Sequence, residues 1–376
     1  MLIIYLYRFG CRLHNLCMDK RAVFRKVLSR QEPKGSRRFF PPDIELTPSK
    51  IDEFNSMQSG KTVEEYFGLL HRDVRFHMTP TYTGDGTYLF SKQNIPTDLT
   101  IDAYGTGQSK GSAACMHMVH FHSPLTGECT EEGIIDYPLP VITEAAFHRV
   151  CREVNGIHSQ GLAVRGCLEQ TIWERAWLIR GMEDLMMDMM LDDPKAELLL
   201  QRICEHACSS ASLLAETGVD LILLGDDIGM QRTPLMSPEL WYRYLQPRLA
   251  EVIAAAKRVN PEILIYYHSC GYITPFIDGL IEAGVEILNP LQPESMDVEE
   301  MYSQYHDRVA FWGSIGTQTT MPFGTPEDVR KAVHDRVRIS EDHRGFIIAP
   351  THIIEHEVPW DNLHAYIDTM RELNGF

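Results

Sequence analysis

From about residue 113 to the C-terminus the chain repeats one pattern: a short apolar run, a polar or glycine-bearing loop, then apolar residues at helical spacing. The apolar runs fall at 114–121, 162–166, 220–225, 262–268, 285–289, 309–313 and 346–349. Helices are expected at 237–259, 274–283, 326–339 and 360–373, the first opening on a Ser-Pro pair suited to a capped first turn. A further run at 74–78 makes eight candidate strands, most separated by a helix. That alternation predicts an α/β protein built as a (β/α)8 TIM barrel, its sheet buried inside a ring of helices. A doubly wound open sheet is the alternative, but it usually carries a glycine-rich phosphate loop. Here Gly105 and Gly107 are followed by Lys110 where a third glycine would stand, so that fingerprint fails.

The N-terminal third lacks this rhythm. Residues 1–38 form a basic extension with one helical stretch after Met18, and 1–17 fall away if Met18 is the true start. The segment from 39 onward is the barrel domain, opening with proline-rich and glycine-rich loops up to 112 that are expected to lie over one end of the scaffold.

Charge sharpens the picture. The chain carries 35 Lys+Arg against 52 Asp+Glu, and ten of the basic residues fall within 1–38. A body that acidic repels phosphate backbones and anionic lipid, so neither nucleic acid nor a membrane is an expected partner. Nine cysteines without framework spacing suggest free thiols in a reducing cytoplasm. The apolar opening reaches only Tyr7 before Arg8, too short for a signal-peptide core, and no later run is long enough to span a bilayer.

In a barrel the active site is built from the C-terminal ends of strands and the loops after them. The last five strand ends read Gly225-Asp226-Asp227, His268-Ser269-Cys270-Gly271, Asn289-Pro290-Leu291-Gln292, Trp312-Gly313-Ser314 and Pro350-Thr351-His352. His268 and Cys270 stand two apart where a strand runs out, so an imidazole nitrogen and a thiolate can face one soft cation. His352, also at a strand end, would complete a three-ligand open zinc site. Asp226 or Asp227 would act as a local acid or orient an imidazole, although such a pair also suits a helix cap. Asn289, Gln292 and Trp312 are the candidate substrate contacts.

Other patterns are weaker. His352 to His356 spells HxxEH, but Pro350, the β-branched Ile353-Ile354 and Pro359 make it a loop, where two histidines cannot share a helical face. Cys115 and His117 lie on one face of their strand, His120 and His122 on the other, so the four cannot serve one metal. Trp173, Trp177, Met182, Met186 and Met190 have the spacing of a packed helix face.

Four ordered stretches, LLGDDIGMQRTPLMSPELWYRYLQPRL, YYHSCGYITPFIDGLIEAGVEILNPLQ, FWGSIGTQTTMPFGTPEDVR and FIIAPTHIIEHEVPWDNL, resemble signatures of the uroporphyrinogen decarboxylase superfamily. The likeness runs from about 150 to 370 and is nearest to the branch that includes corrinoid-dependent methyltransferases. It implies a (β/α)8 barrel, in agreement with the strand count. It also implies zinc held by a His-x-Cys pair, matched by His268 and Cys270. A further cysteine near the last strand is replaced here by His352. The implied activity is transfer of a methyl group between a corrinoid on a partner protein and a small acceptor, a thiol such as homocysteine or coenzyme M, or a folate. True uroporphyrinogen decarboxylases, the alternative, use no metal and carry an arginine-rich motif near the N-terminus. Arg37-Arg38-Phe39-Phe40 is the nearest cluster and its context does not match. A non-catalytic barrel that binds a corrinoid or a partner protein is the third reading.

Overall fold

The computed structural model describes residues 19–30, 40–57, 60–111, 119–340 and 345–375. Cys115, His117 and the expectations for residues 1–17 lie outside them. The strands in chain order are β1 (His71–Val74), β2 (Thr100–Ile101), β3 (Gly107–Lys110), β4 (Val119–His122), β5 (Ala163–Glu169), β6 (Leu221–Gly225), β7 (Leu264–His268), β8 (Ile287–Asn289), β9 (Ala310–Ile315) and β10 (Phe346–Pro350). The chain divides into two compact units, one of Met1–Asp73, Asn155–Arg165 and Glu286–Phe376, the other of Val74–Val154 and Gly166–Val285.

In the first unit β8, β9 and β10 pair in parallel, with Leu288 beside Phe311 and Phe346 through Pro350 beside Phe311 through Ile315. Every residue of these strands is buried, as expected of parallel strands covered on both faces. The helices Val298–Tyr305 and Pro326–Ile339 make the crossovers. The second opens on a capping box, in which Thr325 and Asp328 satisfy each other's backbone N–H. Ile315, Ile348, Val329, Val333, Leu363, Ile367 and Met370 form the core, joined by Phe40, Ile44 and Phe54 from the N-terminal segment. The basic helix Lys20–Leu28 belongs to this unit too, with Phe24, Val27 and Leu28 buried.

In the second unit β6 and β7 are parallel, Leu221 beside Leu264 and Gly225 beside His268. The 23-residue helix Pro194–Glu216 packs on the helix Gln246–Val259. The expected helix at 237–259 does start at the Ser237 cap, but it passes through one wide π turn at Trp241–Leu245. Trp173 is fully buried as expected of a packing residue, whereas Met182 and Met190 are 36% and 66% exposed.

Both units are thus α/β with parallel strands linked through helices, and seven of the eight expected strands are present as β1 and β5–β10. The eighth needs correction. The run 114–121 yields β4, which pairs antiparallel with β3 in a separate three-stranded sheet of order β2-β3-β4. Three of its four residues are exposed, unlike a barrel strand buried on both faces. The expected strand at 74–78 is shifted as well, since β1 ends at Val74 and the residues after it line a cavity described below. Among the described residues no helix is long and apolar enough to cross a membrane.

Candidate functional site

The C-terminal ends of β5, β6 and β7 meet in the second unit. Gly225 permits the close approach of β6 to β7, because a Cβ there would lie 2.9 Å from the carbonyl oxygen of His268. Thr171 ties β5 to β6: its N–H donates to Gly225 O and its hydroxyl accepts Gly225 N–H, both at 2.9 Å. A cavity of about 450 Å³ opens here, lined by Glu169, Gln170, Glu174, Arg175, Asp227 and His268 among others.

The two adjacent aspartates do different work. Asp226 is 4% exposed and accepts the amides of Ile172 at 3.1 Å and Glu174 at 2.9 Å. It therefore caps the helix Trp173–Arg180, whose own N-cap residue, Ile172, has no side chain able to do so. Burial pushes its carboxyl up to about 7, against the pull of those amides. Asp227 is half exposed and turns to the cavity. Its Oδ1 accepts the Cys270 N–H at 2.7 Å and lies 3.9 Å from His268 Nε2.

His268 and Cys270 come together as their spacing suggests, Nε2 and Sγ being 3.5 Å apart. The loop that carries them is packed on the loop after β6. Tyr272 N–H donates to Met230 O at 2.7 Å, and Ile228 N–H donates to Ser269 Oγ at 3.0 Å. The approach is close enough that Gly271, at φ +86°, has no room for a side chain: a Cβ would fall 2.6 Å from Met230 O. Burial, together with the charges of Asp227 and Glu174, pushes the Cys270 thiol up. Left alone it is a thiol and not a nucleophile. Paired with an imidazole at this separation, it fits the nitrogen and sulfur donor set of a zinc ion.

The remaining candidates belong to the first unit. His352 is exposed just past the end of β10, between anchored neighbours. Thr351 N–H donates to Ile315 O at 2.9 Å, and Ile354 N–H donates to Glu45 O at 2.7 Å. The stretch 351–357 is loop, as expected. Asn289 and Gln292 are buried, and Asn289 Nδ2 donates to Trp312 O at 3.1 Å. Trp312 is 1% exposed, donates its indole N–H to Asp43 at 2.7 Å and packs edge-on to Phe24 and His71, so its ring is already covered by protein.

The family model for uroporphyrinogen decarboxylase (URO-D) matches residues 173–373. The chain belongs to the URO-D family. The matched region starts at the first residue of the helix that Asp226 caps, and it holds both aspartates, the His-x-Cys pair and His352. Among solved structures, this URO-D member shares its fold with a methyltransferase from Methanosarcina mazei: 15% identity, TM-score 0.65, 94% of this chain and 98% of the other covered. The GH53 catalytic domain of Ignisphaera aggregans has 15% identity over 60% of this chain and 78% of its own, at a TM-score of 0.36. A comparison with curated proteins finds no match.

Four cavity residues were not legible as candidates: Glu174, Arg175, Gln170 and Tyr104. Glu174 is the most perturbed of them. Burial, with Asp226 and Asp227 beside it, pushes its carboxyl up to about 9. The signal was present, since Gln170 and Glu174-Arg175 follow β5 just as Asp226-Asp227 follow β6.

Proposed function

We propose that the protein is a zinc-dependent methyltransferase that moves a methyl group between a corrinoid protein and a small thiol or folate acceptor. The observation that carries this reading is the His268–Cys270 pair, 3.5 Å apart and backed by Asp227, with His268 and Asp227 lining a cavity. Its fold, shared with a methyltransferase from Methanosarcina mazei, is in keeping with it. His268 and Cys270 would hold the metal, with His352 as the third ligand and one position left for substrate. Zinc bound there supplies the charge that keeps a thiol ionised, and a corrinoid on the partner supplies the methyl group.

The chain's own residues then have defined tasks. Asp227 holds the Cys270 amide and so fixes where Sγ points. Asp226, spent on the helix N-terminus, keeps the β5 loop and Glu174 in place. Glu174, held neutral by burial and by two neighbouring carboxylates, is placed to hold a proton at the cavity wall. Asn289 and Gln292 remain as substrate contacts in the proposal, with Trp312 acting behind them through the carbonyl that accepts the Asn289 amide; the proposal includes the complete (β/α)8 barrel and a cytoplasmic location.

The test is metal content of protein purified without a metal-affinity tag, followed by methyl-transfer assays with a corrinoid protein. About one zinc per chain, lost in both His268→Ala and Cys270→Ala, is expected. Metal-free protein that decarboxylates uroporphyrinogen would instead establish the activity for which the family is named.

A further inference from the structure

Tyr104 lines the same cavity, on the turn between β2 and β3. That turn is held from several directions. Asp102 Oδ1 accepts the N–H groups of Tyr104 and Thr106, each at 2.9 Å. The Tyr137 hydroxyl donates to Tyr104 O at 2.7 Å, and the Tyr82 hydroxyl donates to Asp102 O at 3.0 Å. The second oxygen of Asp102 accepts Arg175 Nη1 at 3.2 Å, while Gln170 Oε1 accepts Arg175 Nη2 at 2.5 Å. The guanidinium carbon so placed lies 3.7 Å from the centre of the Tyr104 ring. Arg175 is only 8% exposed, so this is a built stack and not a solvated one.

One group in the arrangement is unspent. The Tyr104 hydroxyl is bonded by no side chain or backbone group among the described residues. A cation against the ring face withdraws electron density from the phenol, which favours the O–H as donor. Burial raises the phenol against the pull of Arg175, so it keeps that proton through neutral pH.

We infer that Tyr104 is a specificity-determining residue whose hydroxyl donates a hydrogen bond to a carboxylate or carbonyl oxygen of the ligand in this cavity. The inference rests on the proposed function only in taking that ligand to be the methyl acceptor. The hydrogen bond itself needs no metal.

Titration calorimetry of the full-length protein with simple probes tests it. 3-Mercaptopropionate, its amide and 1-propanethiol are titrated into zinc-loaded protein, and propionate into zinc-free protein. In Tyr104→Phe the oxygen-bearing probes weaken by about tenfold, the worth of one hydrogen bond, while 1-propanethiol is unchanged. The first two probes rank carboxylate against carbonyl. Equal weakening of 1-propanethiol would reduce Tyr104 to a structural role and overturn the inference, as would unaltered binding of every probe or no binding of any oxygen-bearing one. Propionate binding that depends on Tyr104, with no thiol bound at the metal, supports the inference and removes the thiol-acceptor reading instead.

Discussion

Asp227 Oδ1 accepts the Cys270 amide at 2.7 Å, so the carboxylate at the end of one strand fixes the backbone of the proposed zinc ligand that follows the next. Outer partners of this kind set ligand orientation, and losing one typically lowers metal affinity by about tenfold to a hundredfold. Asp227→Ala should therefore bind zinc weakly while keeping its fold. Asp227→Asn, which still presents an acceptor oxygen to the amide, should stay close to the parent. Competition with a zinc chelator reads both, and equal loss in the two variants would mean that the charge matters and the hydrogen bond does not.

Glu174 should make the zinc-free protein less stable as pH rises. In the unfolded chain Glu174 ionises near its ordinary value of 4.5, whereas in the fold it keeps its proton up to about 9. Between those limits the folded state holds the extra proton, so raising pH favours unfolding. Asp226, raised to about 7 from 3.8, adds to the fall over the lower part of the window. In Glu174→Gln the decline should therefore end near neutrality, while the parent continues downward. Urea midpoints at about pH 5.5, 7 and 8.5 decide it, and parallel curves would remove the proton from Glu174.

The strands that were legible in the sequence are those buried on both faces. β6–β10 are largely apolar runs separated by helices or short loops, and that signature survives without knowledge of the fold. β4 departs from the expected barrel strand because His120 and His122 interrupt its apolar residues and leave it exposed, which a count of apolar runs does not register. His268 and Cys270 were legible because two residues on one strand end need no tertiary information to converge. The division of labour between Asp226 and Asp227 was not, since it depends on which neighbour faces the helix from the preceding strand. Tyr104 was further out of reach. Its place in the cavity follows from Arg175, 71 positions away in the chain, and no local pattern encodes that pairing.

Gly271→Ala should separate the site from the scaffold. The residue sits at φ +86°, and the new methyl group would fall 2.6 Å from Met230 O and 2.7 Å from the Gly229 carbonyl carbon. Neither neighbour is a flexible side-chain end, so the loops after β6 and β7 must part. A cost of about 2 kcal/mol or more is expected from backbone strain and the clash together. The loss of zinc should exceed that in an equally destabilised variant of the first unit that leaves His352 and its loop intact. Denaturant midpoints and metal content measured on the same samples make the comparison, and unchanged zinc content would show that the loop tolerates displacement.

The basic helix near the N-terminus should matter to stability in spite of its charged sequence. Phe24 is 1% exposed, stacks on the His71 imidazole at 5.1 Å and meets Trp312 edge-on at 5.6 Å. Near that imidazole Arg165 forms a two-pronged ion pair with Asp73, at 2.8 and 2.6 Å, and burial holds the imidazole neutral. Phe24→Ala would open a cavity against these groups and admit water to them, at a cost of about 3–5 kcal/mol for a buried phenylalanine. Phe24→Leu, which keeps most of the apolar volume, should recover more than half. Unfolding midpoints of the two variants provide the check. A cost below about 1 kcal/mol for the alanine variant would mean that the helix Lys20–Leu28 lies on this unit without stabilising it.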